Sequence, residues 1–312
     1  MSTISVIDTH CDALLKLWED RKLSFTDSIS IDCNAERLVK GQVKVQCFAI
    51  FVEPFVKQDQ KFSVVLEQID LFYQKVLTPH PQFKLIRHWH EIETLEDGEI
   101  GAILTLEGVD PIGDDLARLR ILYELGVRSV GLTWNQANLC ADGVGETRGA
   151  GLSNLGKELV KENNRYNVLT DVSHLSEAGF WDVIKLADYP IASHSNAKAK
   201  CVHPRNLTDE QIKALIDAKG FIGVVFYPLF LNGTNHATIS DILHHIDHIC
   251  SLGGEKFIGF GSDFDGIDKK VENLKNAEMY PVLLNELLKH YSEETVRGFA
   301  NENFIRMLSK NV

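Results

Sequence analysis

Short, continuously apolar runs alternate along this chain with longer stretches in which apolar residues recur every three or four positions. The short runs predict strands at Ser5–Ile7, Val45–Phe51, Ala102–Leu106, Ser129–Leu132, Val168–Val172, Ile191–Ser193, Phe221–Val225 and Phe257–Gly261. Several are apolar without alternation, as strands covered on both faces are. Between them, Phe62–Val76 sets Phe62, Val65, Leu66, Ile69, Phe72, Tyr73 and Val76 on one helical face. Asp114–Leu125 does the same with Leu116, Leu119, Leu122 and Tyr123. Ser176 and Thr208 have the chemistry of helix N-caps, and Thr208-Asp209-Glu210-Gln211 fits a capping box. Eight strands alternating with helices, without a strand-GxGxxG-helix fingerprint, predict an α/β fold of the closed (β/α)8 TIM-barrel type. No linker or low-complexity segment divides the chain. It is therefore expected to be a single domain, 1–312, with its C-terminal helices packed on the barrel.

Composition narrows the picture only a little. With 44% hydrophobic and 24% charged residues over 312 positions, the chain can bury a core that needs no disulfide or structural metal. A net charge of −12 argues against nucleic acid and against an anionic membrane surface as partners. The six cysteines form no CxxC pair and read as reduced, mostly buried thiols. No run approaches the roughly 20 apolar residues of a membrane span. The opening MSTISVIDTHCD has no secretory pattern and the closing MLSKNV no anchor tail, so a cytoplasmic location is expected.

Chemistry concentrates where the strands end, which in such a barrel is the active rim. The first strand runs into Asp8-Thr9-His10-Cys11-Asp12, and others end in Thr105-Leu106-Glu107, Asp171-Val172-Ser173-His174, Ala192-Ser193-His194 and Ser262-Asp263-Phe264-Asp265. In His10-x-Asp12 both side chains share one face of an extended chain and can clasp one divalent ion. His174 and His194 can hold a second, with Glu107 as a bridging carboxylate. Imidazole with carboxylate and no thiolate suits zinc or another divalent ion in an open catalytic site. Paired ions of this kind are the pattern of two-metal hydrolases. Taken singly, each residue has an ordinary alternative: a packed histidine, a helix cap, a surface acid.

The ordered segments IDTHCD, TLEG, LTDVSHLS, PIASHSNA, PRNLTDEQI and GFGSDFDG resemble the membrane (renal-type) dipeptidase family, from Val6 to about Leu308. The resemblance implies a barrel with two zinc ions that hydrolyses dipeptides, including those with a D-residue at the C-terminal position, in a chain that is often a homodimer. It assigns His10 and Asp12 to one zinc, His174 and His194 to the other, and Glu107 to both. It makes Asp263 a proton shuttle, with Asp265 as a rival on the same loop, and Arg205 the grip on the substrate carboxylate. A guanidinium fork has the geometry for that task, although a surface ion pair is the ordinary role of such an arginine. One motif departs from the family: mammalian members have Leu-Thr-His where this chain has Leu132-Thr133-Trp134-Asn135. Trp134 is expected to form an apolar wall and Asn135 to donate a hydrogen bond to substrate. The alternative is a related hydrolysis of an N-acyl amino acid, lactone or phosphoester on the same metals.

Other signals carry less. His244 and His248, one helical turn apart, lack the glutamate of a zincin and read as a solvated face. His88-Trp89-His90 reads as a surface connection and Cys11 as packing. The Gly-rich stretch 135–151 reads as a mobile rim loop or lid.

Overall fold

The computed structural model describes residues 4–309; the outermost residues of both termini read above, 1–3 and 310–312, lie outside that range. Among the described residues there are nine parallel strands: β1 (Val6–Cys11), β2 (Val43–Phe51), β3 (Phe83–Leu85), β4 (Ile100–Glu107), β5 (Val127–Gly131), β6 (Leu169–Asp171), β7 (Pro190–Ala192), β8 (Phe221–Val224) and β9 (Ile258–Phe260). Eight of them match the eight predicted runs. They close a ring in the order β1-β2-β4-β5-β6-β7-β8-β9, with β9 returning to β1. This is a TIM-type α/β barrel with surrounding helices. The ninth strand, β3, was not predicted. It pairs only with the first residues of β4, Ile100 to Ala102, and stands outside the ring.

Two apolar cores hold the barrel. The larger lies between strands and helices and draws on Phe48, Leu104, Val130 and Val224 from the strands and Leu14, Leu159 and Ile242 from the helices. The smaller joins Ile7, Val45, Ile103, Leu169, Ile191 and Phe221, from six strands of the ring, to Phe304, Met307 and Leu308 of the helix Asn303–Ser309. The C-terminal helix thus closes the N-terminal end of the barrel, opposite the rim that carries the polar residues. The Phe221 and Phe304 rings meet edge-on at 5.1 Å.

Local chemistry sets the helix starts. Ser176 caps Glu177–Leu186 by accepting from Gly179 N, and Thr208 with Gln211 forms the capping box of Asp209–Asp217. The predicted helix Phe62–Val76 instead begins at Gln58 and passes into a π-helical turn, Phe72–Leu77. The predicted Asp114–Leu125 is the helix Leu116–Glu124, capped by Asp115.

The stretch 135–151, read as a mobile rim loop or lid, is held by hydrogen bonds at several points. The Asn138 side chain donates to Leu132 O, and the Asp142 carboxylate accepts from Arg148 and from Ala150 N. At Gly143 a Cβ would lie 2.2 Å from Trp134 O, so only glycine lets the loop pass this closely over the end of β5.

Candidate metal centre

Strand register puts the proposed ligands at one height. β2 and β4 pair without slippage from Val45↔Gly101 to Phe51↔Glu107, so Glu107 stands at the top of β4. The β1–β2 register shifts between Asp8 and Cys11, an irregularity that re-aims His10 and Asp12 into the mouth. His174 and Asp263 sit in left-handed backbone, φ 66° and 63°. Non-glycine residues rarely adopt that conformation, and it costs on the order of 1 kcal/mol or more unless the surroundings hold it.

All five predicted ligands and Asp263 converge there. His10 Nε2 lies 3.5 Å from Asp12 Oδ2, 3.6 Å from Glu107 Oε2 and 3.9 Å from Asp263 Oδ1. The other Glu107 oxygen, Oε1, lies 2.9 Å from His174 Nε2 and 3.6 Å from His194 Nε2. Glu107 therefore turns one oxygen to each histidine group. His10, Glu107 and His194, and separately His10, Asp12 and Asp263, hold their ligand atoms within 4.8 Å of one another.

The donor set of imidazoles and carboxylates fits a divalent cation. His174 Nδ1 donates to Asn135 Oδ1 at 2.8 Å, and His194 Nδ1 donates to Ser193 Oγ at 2.8 Å. Both histidines then present a bare Nε2, and these two atoms lie only 2.9 Å apart, facing a carboxylate oxygen. Burial, with Arg205 and His10 nearby, holds both rings well below their usual pKa, hence neutral. His10 Nε2 is buried and has no hydrogen-bond partner. Burial opposes charge on His10, but Glu107, Asp12 and Asp263 still hold it well above its usual range. Burial pushes the Glu107 carboxyl up to about 8 and Asp263 up to about 7, each against the pull of His10. Lone pairs and carboxylates facing one another in a dry pocket are what a cation relieves. At Gly266 a Cβ would meet Asp12 Oδ2 at 2.2 Å and Asp263 Oδ1 at 2.6 Å, so its bare backbone makes the room both carboxylates occupy. Asp12 caps no helix: its side chain makes no bond to the helix Ala13–Glu19 that follows it.

Supporting residues escaped the sequence reading. Asp171 accepts from Ser173 N and Ser193 N at 2.9 Å and, in a short bond, from Ser193 Oγ. That hydroxyl then accepts from His194, fixing its tautomer. Asp8 accepts from Ser262 N at 2.9 Å and Ser262 Oγ at 2.7 Å, tying β1 to the loop that carries Asp263. Gln68 holds the end of β2, its side chain donating to Phe51 O at 2.5 Å. Ser193→Ala is expected to weaken divalent-ion affinity about 10- to 100-fold without unfolding the chain, checked by competition against a chelating dye.

The remaining candidates separate. Asn135 orients His174 through its carbonyl oxygen, a role not expected of it, so that end is not available to substrate. Trp134 stands 5.3 Å from the Phe51 ring and 5.9 Å from the His174 ring and lines the cavity beside the cluster. Asp265 accepts from Asp32 N and Cys33 N at 2.7 and 3.1 Å and so holds a loop, leaving Asp263 alone at the cluster. Arg205 is buried rather than paired at the surface. Its Nη2 donates to His194 O at 2.9 Å, its Nε has no partner, and its guanidinium lies 5.5 Å over Phe230. Burial lowers it only to about 10, so it stays cationic.

Two adjoining cavities open on the cluster, sharing His174. One, of about 300 Å³, is lined by Asp12, Phe51, Glu53, Glu107, Trp134 and Asp263; the other, of about 210 Å³, by Arg205 and Lys198 among others. The set-aside histidines have other duties. His248 pairs with Asp209 at 2.7 Å, and His88 caps a short 3-10 turn. His245, between His244 and His248, is buried and bonded to Ala197 N and Leu231 O. Cys11 is a buried packing residue, and all six cysteines are free thiols.

A closed parallel barrel that gathers three imidazoles and three carboxylates on its C-terminal rim defines a metal-dependent hydrolase. The whole chain, residues 1–312, matches the family described as Membrane dipeptidase (Peptidase family M19). It is 31% identical over 305 residues to dipeptidase aclJ of Aspergillus oryzae, covering 92% of this chain and 72% of that one. It superimposes with a TM-score of 0.93, at 28% identity over the full length of both chains, on a metallo peptidase from Rhodobacter sphaeroides liganded with a phosphinate mimic of the dipeptide L-Ala-D-Ala. A second solved structure, dipeptidase AC, matches at 30% identity over 99% of both chains with a TM-score of 0.93. The chain belongs to the membrane dipeptidase family and is a metallo-dipeptidase. Among the described residues, no helix is long and apolar enough to cross a membrane.

Proposed function

We propose that this chain is a dinuclear zinc dipeptidase of the cytoplasm, acting on free dipeptides with either an L- or a D-residue at the C-terminal position. The observation that carries the two-ion reading is Glu107, whose two oxygens face separate histidine groups. His10, Asp12 and Glu107 would hold one ion, and His174, His194 and Glu107 the other. Bound there, divalent ions supply electrophilic polarisation of the peptide carbonyl and a lowered pKa for water. Zinc accords with the nitrogen and carboxylate donors. The D-stereochemistry rests on the L-Ala-D-Ala mimic held by the Rhodobacter sphaeroides relative. The six free thiols suit a reducing compartment.

The protein's own groups divide the remaining work. Arg205 docks the terminal carboxylate of the substrate from the second cavity, where a desolvated guanidinium binds it with geometric specificity. Trp134 and Phe51 form the dry wall of the first cavity, which strengthens every charge interaction inside. Asn135 holds the His174 ring in place. Asp263 takes the proton that water loses as its oxygen bonds to the carbonyl carbon. It returns that proton to the amine nitrogen as the C–N bond breaks. Both products leave as free amino acids.

Arg205→Ala is expected to raise KM for free dipeptides about 100-fold or more, with a much smaller effect on a neutral ester. Steady-state kinetics on both substrates checks it. Equal losses on the two would remove Arg205 from carboxylate recognition. A release assay for free amino acids over L,L- and L,D-dipeptides tests the function as a whole. Turnover of a lactone or phosphoester in place of every dipeptide would overturn it.

A further inference from the structure

A dipeptide is a zwitterion, and the barrel mouth is charged in the same sense. In the ring order, β2 and β7 stand four strands apart by either route, on opposite sides of the barrel. Arg205 follows β7. Glu53, two residues past the end of β2, lines the cavity that also contains Asp12, Glu107 and Asp263. With the carboxylate end of a dipeptide on Arg205 and its carbonyl over the cluster, the free amino group points into that opposite cavity. From this arrangement we propose that Glu53 receives the substrate's α-ammonium group and makes the site selective for a free amino terminus. The inference rests on the dipeptidase reading and sharpens it.

Other carboxylates line the same cavity, but Asp12, Glu107 and Asp263 are committed to the histidine cluster. Glu53 has no such commitment. Among the described residues no cation lies within 4 Å of its carboxylate, and the nearby Lys16 pairs with Glu19 at 3.6 Å. Its surroundings, burial first and then Glu19 and Asp12, push its carboxyl above the usual range, against a weaker opposing pull from Lys16. A carboxylate held against like charges favours a cationic partner. Gln68 fixes the strand end from which Glu53 projects, so the group is presented on a rigid element. Nothing in the sequence pattern marks this residue, because glutamate after a strand is an ordinary rim residue.

The test compares alanyl-alanine with propionyl-alanine, the same skeleton lacking only the amino group, on metal-loaded protein. The wild type is expected to favour the dipeptide about 100-fold in kcat/KM, since a hydrogen bond to a charged group is worth about 10- to 100-fold. In Glu53→Gln the preference should fall below about 10-fold, mainly through a raised KM for the dipeptide, and Glu53→Asp should restore part of it. A Glu53→Gln enzyme that discriminates as the wild type does overturns the assignment while leaving the dipeptidase reading intact. A metal-loaded wild type that hydrolyses propionyl-alanine as well as the dipeptide also overturns it. A metal-loaded wild type that cleaves neither compound overturns both.

Discussion

Replacing Glu107 with glutamine is expected to lower kcat/KM for dipeptides about 1,000-fold or more and to cost the protein at least one bound ion. Among the described residues Glu107 is the only carboxylate in the rim with oxygens near both histidine groups, 3.6 Å from His10 on one side and 2.9 Å from His174 on the other. A glutamine keeps the shape but offers a single neutral acceptor, so one side loses its charge. Metal analysis of the purified variant beside steady-state kinetics checks the prediction.

The same residue sets a pH dependence in the chelated protein. Burial raises the folded-state Glu107 carboxyl from 4.5 to about 8, so between those values the folded chain holds a proton that the unfolded chain has released. The folded state then binds more protons than the unfolded one, and stability falls as pH rises through this window. Chelated wild type should therefore melt at a lower temperature at pH 8.5 than at pH 6, and chelated Glu107→Gln should show a flatter profile. Thermal unfolding in the presence of chelator reads both. A wild-type melting temperature that rises over the same range would contradict the placement of Glu107.

Asp263→Asn is expected to lower kcat about 1,000-fold while both the metal content and KM stay within about twofold of wild type. Asp263 is the outermost of the carboxylates on His10, at 3.9 Å, and it reaches into the cavity where the scissile bond would lie. Burial pushes it up to about 7, a range in which it can both accept and return a proton near neutral pH. Asparagine keeps the size and the left-handed turn, which asparagine tolerates well, but cannot carry a proton. Asp265→Asn provides the contrast. That carboxylate accepts from two backbone N–H groups of the loop at Asp32 and Cys33, so its loss should lower stability rather than turnover. Full activity in Asp263→Asn with its metals retained would remove the shuttle role.

Why so much of the barrel was legible follows from its physics. Its strands are buried on both faces, which leaves continuous apolar runs such as Val45–Phe51, and the helices between them repeat every three or four residues. The candidate ligands were legible because barrel strands end at one rim and His10, Asp12, Glu107, His174 and His194 all sit at strand ends. What escaped depends on tertiary contact. Phe83–Leu85 is too short to show a period and exists only by pairing with Ile100 to Ala102. The Asp171–Ser193–His194 chain and the Asn135–His174 bond are made by side chains that look ordinary in sequence. Gln68 sits among apolar positions, where the pattern predicts Leu66 to be buried, yet Gln68 is fully covered and Leu66 is 40% exposed. The stretch 135–151 looked mobile because glycine and polar residues dominate it. Those same residues tie it to the barrel.

On the two-ion proposal the rim of the barrel binds a pair of ions and is inert without them. The most direct measurement is to strip the purified protein with chelator, titrate zinc back, and follow bound metal and hydrolysis of an alanyl-alanine dipeptide in the same samples. Two zinc ions bound per chain, with no turnover before reconstitution and full turnover at the second equivalent, is the expected result. Undiminished turnover in fully stripped protein, or a protein that binds no zinc at all, would contradict it.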